Sequence, residues 1–317
     1  MARSSLFSRV TQAVLLIVAV VLPLAGIGPY WTHVGAIAWY YALLAASWAL
    51  LAGFAGQFSF AHVAFAALGG YASALCVARF GLPLPAAMLA SVLLAVVTGA
   101  LIGALVLRLS GPYLALFTLA ISEIFRMVLI AEEDFTRGML GLPVPSLFPG
   151  RSDLPYYYLG LGLVVLAVLG MNGLLATRVG LFLRAIREDE GAARASGVDT
   201  TRYKILVFVV TSVIAAIAGI YYGHFIGILT PNMAILPEMG LVIAMAVIGA
   251  VVVFLLSETL RSYGEWRFVL MGLVLILVQR FAQNGLFPMI EQWSRSRPAG
   301  GAQPTPTAAA KEERHAG

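Results

Sequence analysis

The sequence predicts an all-α fold, a polytopic helical bundle that crosses a membrane about nine times. Composition is the first observation: 61% of the 317 residues are hydrophobic and 11% are charged, with a mean hydropathy of +0.92. A soluble domain carries roughly 25% charged residues, because its surface must face water. The second is pattern: apolar residues come in successive runs long enough to cross a hydrocarbon core, which takes about 20 helical residues. The third is the backbone: in hydrocarbon each segment must satisfy its own polar groups, and a helix does so.

The runs lie near 11–28, 34–52, 60–78, 86–107, 113–130, 156–176, 205–226, 236–257 and 267–286. Pro83, Pro85, Pro112 and Pro155 punctuate them. Met1 to Arg9 ahead of the first run has the form of a signal peptide, but no convincing small-residue cleavage site follows, so the run reads as a retained span. The run near 60–78 is rich in glycine and alanine and is a candidate broken or re-entrant helix. Gly69, Gly70 and Gly99 allow close helix–helix approach.

Charge sets the expected orientation. Arg3 and Arg9 precede the first run, and Arg178, Arg184, Arg187, Arg194, Arg202 and Lys204 follow the sixth. Glu132, Glu133 and Asp134 follow the fifth. A cytoplasmic N-terminus over residues 1–10 puts the basic segment 178–204 inside and the acidic loop outside. Residues 11–290 then form one transmembrane domain. The tail 291–317, rich in Pro, Ala and Gly, reads as disordered. Its Arg295, Arg297 and Arg314 favour the cytoplasm, whereas nine crossings put it outside; the two expectations conflict.

The net charge of +5 reflects those basic loops, and no aromatic–basic pattern points to nucleic acid. Cys76 is the only cysteine, which excludes an internal disulfide or cysteine metal cluster. No Gly-x-x-x-x-Gly-Lys-[Ser/Thr], Gly-x-Ser-x-Gly or His-Glu-x-x-His occurs. The chain therefore carries no P-loop, no metal site of this kind and no recognisable catalytic constellation.

Arg184 to Val198 is the most informative stretch. It has helical composition to Ser196, with Gly197 as the stop. A short polar helix between two spans suits docking onto another protein; an ordinary solvated loop helix has the same composition. Glu123 and Arg126, at i, i+3 in the fifth run, share a helix face. They are either a structural ion pair or part of a pathway or gate. Gln57, Ser59 and His62 form a polar cluster beside Gly56, either substrate-binding groups or polar glue between helices. His224 and Asn232 flank the outer end of the seventh run.

Glu190-Gly191-Ala192-Ala193 followed by Gly197 resembles the EAA loop of ABC importer permeases. Leu183 to Glu190 with Arg202-Tyr203-Lys204 is similar to the LivM-type permease subunits of branched-chain amino acid importers. Gly56 to His62 with Gly69-Gly70-Tyr71, Tyr113 to Leu116 with Glu123 and Arg126, Gly141-Leu142-Pro143, Thr230-Pro231-Asn232 and Ile248-Gly249 resemble further stretches of that family in order. The resemblance covers about residues 35–286.

It implies a non-enzymatic subunit of an ATP-driven importer in a bacterial inner membrane, moving leucine, isoleucine and valine by alternating access. Its implied partners are a second related permease, two ATPase subunits that hold ATP and Mg, and an external solute-binding protein. It implies ATPase coupling through Arg184, Arg187, Glu188, Glu190, Ala192, Ala193 and Gly197. Gln57, Ser59, His62, Glu123, Arg126, His224 and Asn232 are the translocation-path candidates. Urea, short amides and other amino acids are alternative solutes; a secondary transporter or channel is the alternative class. One departure stands out: Ala250 runs straight into Val251-Val252-Val253, where the family carries a glycine-rich turn.

Overall fold

The computed structural model describes residues 17–25, 28–106, 112–148, 150 and 152–248. The chain divides into Met1–Leu275 and Ile276–Gly317, and every described residue belongs to the first unit. After a short helix α1 (17–21) and a 3₁₀ turn at Leu22–Ala25 come α2 (Gly28–Ala55), α3 (His62–Phe80), α4 (Leu84–Val106) and α5 (Pro112–Ala131). The short α6 (Glu133–Thr136) precedes α7 (Leu154–Ala176), α8 (Arg178–Glu188), α9 (Glu190–Ala195), α10 (Thr200–Ile226) and α11 (Leu236–Ile248). Two-residue strands β1 (Leu142–Pro143) and β2 (Ile228–Leu229) pair antiparallel, Leu142 opposite Leu229.

Six of these helices, α2, α3, α4, α5, α7 and α10, are long and apolar enough to cross a membrane. They match six of the expected runs. The expected run 236–257 is represented by α11, whose described part ends at Ile248, and the run 11–28 by residues 17–25. The run 267–286, the tail and the altered turn after Gly249 lie outside the described residues. The run near 60–78 is not broken: α3 is one continuous helix of 19 residues, and the irregular backbone lies before it, at 56–61.

Glycine ends three of the long helices, α2, α3 and α10. Gly56, Gly81 and Gly227 have φ of 66°, 61° and 80°, the left-handed conformation that a side chain disfavours. The Gln57 and Leu82 amides reach back six residues, to the Leu51 and Cys76 carbonyls. Side chains start the helices at the other end of the sequence signal: Thr177, Asp189 and Asp199 accept from the amides of Val179, Ala192 and Arg202.

The core is built around α10, which packs on α3, α4 and α2, while α7 and α11 pack on α2. Between α3 and α10 the backbones touch. A methyl group on Gly219 would overlap the Ala66 carbonyl, and one on Gly69 would overlap the backbone of Ala216. Ala66, Gly69 and Gly70 thus face Ala216 and Gly219, the small-residue crossing that membrane helices use to bring backbones together. On α4, the Ser91 hydroxyl donates to the Gly69 carbonyl at 2.7 Å.

The bundle has two distinct ends. At one, His33 Nδ1 lies 2.9 Å from Asp153 Oδ2. There Arg79 donates to the Asp134 carbonyl and lies over the Phe135 ring. At the other lies the basic segment 178–199.

Gly219→Ala is expected to lower the stability of the detergent-purified protein by about 1–3 kcal/mol, the usual cost of overpacking. Gly162→Ala, with open space around the new carbon, should melt like the wild type. Equal melting of the two variants would refute the close crossing.

Candidate functional site

At the basic end, sequence and packing together decide which way each side chain turns. In α8 the buried positions are Gly180, Leu183 and Ile186, three apart along one face. Leu183 shares a hydrophobic cluster with Leu50, Leu51 and Ala55 of α2. Phe182 meets Tyr203 of α10 at 4.9 Å between ring centroids. The single helix expected up to Ser196 is in fact two, because Asp189 is extended (φ −153°, ψ 106°) and caps α9 with its side chain. Gly197 stops α9, with φ of 86°.

The seven coupling candidates fall into three groups. Arg184 and Arg187 turn toward the end of α2: Arg187 donates to the Gly53 carbonyl, and the Arg184 guanidinium lies 5.9 Å from the Phe54 ring centroid. Glu190 and Ala193 turn into the fold. Ala193 is buried, and Glu190 takes Lys204 Nζ at 2.5 Å, Arg194 at 3.0 Å and the Thr200 hydroxyl at 3.2 Å. Glu188, Ala192 and Gly197 remain exposed. Burial pushes the Glu190 carboxyl upward, but the hydrogen bond and charge of Lys204, helped by Thr200 and Arg194, hold it below the usual carboxylate range. Lys204 was not among the candidates; an isolated lysine at the start of an apolar run was its signal.

The translocation candidates also separate. Gln57, Ser59 and His62 sit together in and beside the 56–61 junction between α2 and α3, at the basic end. Ser59 is stitched in place: its carbonyl accepts from Trp48 Nε1 at 2.9 Å, and its hydroxyl accepts from the Ala61 amide at 3.2 Å. The next amide, Phe60, donates to Thr118 Oγ1 of α5 at 3.0 Å. Gln57 and His62 are 3% and 2% exposed, and no side-chain nitrogen or oxygen of either has a hydrogen-bond partner. The His62 ring lies beside the Ser47 carbonyl without hydrogen-bond geometry.

His224 and Asn232 lie at the opposite end. His224 is fully buried; its Nδ1 is 2.7 Å from the Pro145 carbonyl and its Nε2 2.8 Å from Ser73 Oγ. A carbonyl can only accept, so Nδ1 donates to Pro145, and with the Nε2–Ser73 bond the ring ties α3, α10 and the 138–148 loop together. Asn232 is exposed on the 3₁₀ turn Pro231–Ala234. Glu123 and Arg126 form a bidentate pair, Nε 3.0 Å from both carboxylate oxygens, on the outward face of α5. Their side chains are 42% and 17% exposed, beside an apolar groove lined by Leu119, Ile124 and Met127.

Sequence reasoning missed Glu238. Its carboxylate accepts from the Tyr41 hydroxyl at 2.7 Å, next to Tyr40 and Tyr222, whose ring centroids are 4.4 Å apart. Among the described residues it has no ion-pair partner. A lone carboxylate in the first turn of an apolar helix was the available signal.

Glu190→Gln should destabilise the protein by about 1–3 kcal/mol, the range for a hydrogen bond to a charged partner, with part recovered in Glu190→Gln/Lys204→Met. Because the folded carboxyl titrates below its ordinary range, the pair's contribution is complete at neutral pH. It is lost as pH falls from the ordinary carboxylate range through the lower folded value. Thermal unfolding from neutral pH down to about pH 3 checks this; a wild-type/variant difference that does not shrink at the acid end would contradict it.

Comparisons with known proteins follow the same lines. The profile of the family described as branched-chain amino acid transport system / permease component matches residues 33–279. The high-affinity branched-chain amino acid transport system permease protein LivM of Salmonella typhimurium is 28% identical over 288 residues, covering 78% of this chain and 68% of its own length. LivM of Escherichia coli matches to the same extent. The LivH permease of the same transport system in Salmonella typhimurium is 26% identical over 222 residues, covering 63% of this chain and 71% of its own. No solved structure matches. With the profile spanning all six membrane-crossing helices and the basic segment between the last two, the chain belongs to the family of permease components of branched-chain amino acid transport systems.

Proposed function

We propose that this chain is the membrane-spanning permease subunit of an ATP-driven importer for leucine, isoleucine and valine. The observation that carries the proposal is the family match across the whole described bundle, with a capped, amphipathic basic segment in the position of a coupling loop. The similarity of the chain to both LivM and LivH proteins supports pairing with a second, related permease. Two ATPase subunits, holding ATP and Mg, and an external solute-binding protein complete the complex.

In this reading the chain crosses a bacterial inner membrane about nine times. Residues 178–199 face the cytoplasm and the 132–153 loop faces outward. Glu188, Ala192 and Gly197, exposed on α8, α9 and the turn after it, offer the docking face for an ATPase. The chain itself catalyses nothing; it alternates access to a path that the ATPases drive. Glu238, a carboxylate that takes the Tyr41 hydroxyl beside Tyr40 and Tyr222 and has no cationic partner among the described residues, suits the ammonium group of an amino acid. Gln57 and His62 stand at the cytoplasmic end of the same bundle.

Cells lacking their own importer, expressing this chain with its partner subunits, should take up radiolabelled leucine, blocked by valine and not by urea. Uptake blocked by urea, or none from a complex that assembles and hydrolyses ATP, rejects the substrate reading. Ala192→Arg should abolish co-purification of the ATPases; an intact complex would remove α9 from the docking face. Glu238→Gln is expected to raise the KM for leucine about tenfold, the loss of one charge-assisted hydrogen bond, with the complex still assembled.

A further inference from the structure

Arg187 faces the membrane bundle, and its partner is a backbone group that the helix itself leaves free. In α2 the Gly53 carbonyl would ordinarily accept from the amide four residues on, that of Gln57. The Gln57 amide is turned back to Leu51 instead, at 3.2 Å, so the Gly53 carbonyl is an orphan of the helix end. Arg187 takes it. A positive charge there also complements the negative end of the helix dipole. The fit depends on the next glycine: a Cβ at Gly56 would lie 3.3 Å from Arg187 Cγ and 3.6 Å from its Cα, in a backbone of φ 66°. Arg184 adds its contact over Phe54, and Leu183 is buried with Leu50, Leu51 and Ala55. Helix α8 and the last turn of α2 are therefore held together by polar, cation–π and apolar contacts at once.

Beyond this turn the chain is irregular from 56 to 61. That stretch leads into α3, is bonded to α2 through Trp48, and is bonded to α5 through Thr118. Any displacement of α8 that carries the end of α2 with it thus reaches α3 and α5 through one short segment. We propose that Arg187, seated on Gly53 and Gly56, is the joint that converts movement of α8 into movement of the 56–61 junction, and that it does not serve as a contact to the ATPase. This rests on the permease reading above. Arg187 is a positioning residue: it touches no substrate.

The test uses the complete complex, this chain with its second permease, both ATPases and the binding protein, in liposomes. The quantity read is leucine moved per ATP hydrolysed. Arg187→Ala should leave the purified complex intact and lower that ratio about tenfold, within the usual range of coupling between sites. Arg187→Lys, which still places a donor near the carbonyl, should recover most of it. Gly56→Ala leaves every arginine in place and should lower the ratio as well. Loss of the ATPases from the Arg187→Ala complex alone, or a normal ratio in Arg187→Ala or Gly56→Ala, overturns the proposal. Spin labels at Leu181→Cys and Gly53→Cys give a readout independent of the solute. Their separation should stay constant between nucleotide-free and ATP-bound complexes, and a change overturns the joint. A wild-type complex that hydrolyses ATP and moves no leucine rejects the substrate reading, while the labels still decide the joint.

Discussion

The backbone contact between α3 and α10 is the constraint on which the other features depend. Inside a bilayer the lipid tails are as apolar as the side chains, so burial of leucine against leucine gives no advantage over leucine against lipid. What remains is close packing and polar bonding, and both need backbones near each other. Ala66, Gly69 and Gly219 supply that nearness by having almost nothing in the way. Once the two helices touch, Ser73 can reach His224, Tyr71 can reach the Leu229 carbonyl at 3.2 Å, and Ser91 can reach the Gly69 carbonyl. Larger residues at the crossing would separate all of these pairs together.

The crossing divides the protein into ends with different bonding. At the acidic-loop end most ties run to backbone: Tyr156 donates to the His224 carbonyl at 2.8 Å, the Tyr221 hydroxyl lies 2.9 Å from the Ala36 carbonyl, and Arg79 donates to the Asp134 carbonyl. The short β1–β2 pairing adds to them. At the basic end the ties are charged: Glu190 with Lys204 and Arg194, and Arg187 with a helix-end carbonyl. A charged tie tolerates small changes of direction better than a buried neutral one, because Coulomb attraction falls off more slowly than hydrogen-bond alignment.

This contrast explains what the sequence could and could not disclose. The extents of α2, α4, α5, α7 and α10 follow from apolar length, with glycine stops after α2 and α10, and these are local. So is the Glu123–Arg126 pair, whose spacing alone brings it together. The rotation of a side chain about its helix is not local. Arg187, Glu188 and Glu190 are near neighbours in sequence, yet one meets the end of α2, one meets solvent and one meets Lys204. Packing of Leu183 and Ile186 sets the first two, and the break at Asp189 resets the third. The Glu238 environment is likewise tertiary, since Tyr41 is 197 residues away along the chain. The sequence already separates the translocation candidates into the 57–62 cluster, the Glu123–Arg126 pair and the outer-end His224 and Asn232, and the fold keeps those groups apart at two opposite ends and on α5.

The 56–61 junction combines two features that are separate elsewhere in the bundle. It is wired to three helices, and it borders Gln57 and His62, whose buried polar atoms lack partners. Each such atom costs about 1–3 kcal/mol relative to a paired one. Among the described residues the one other buried side-chain atom without a partner is Trp39 Nε1 on α2; an arrangement that gave Gln57 and His62 partners, from protein, water or solute, would be favoured by a comparable amount. The energetic reason to move and the mechanical means of being moved therefore coincide in one short segment. The buried amide and imidazole are better understood as what makes the junction adjustable than as a finished binding site, and Arg187 is placed where a push on α8 would use that adjustability.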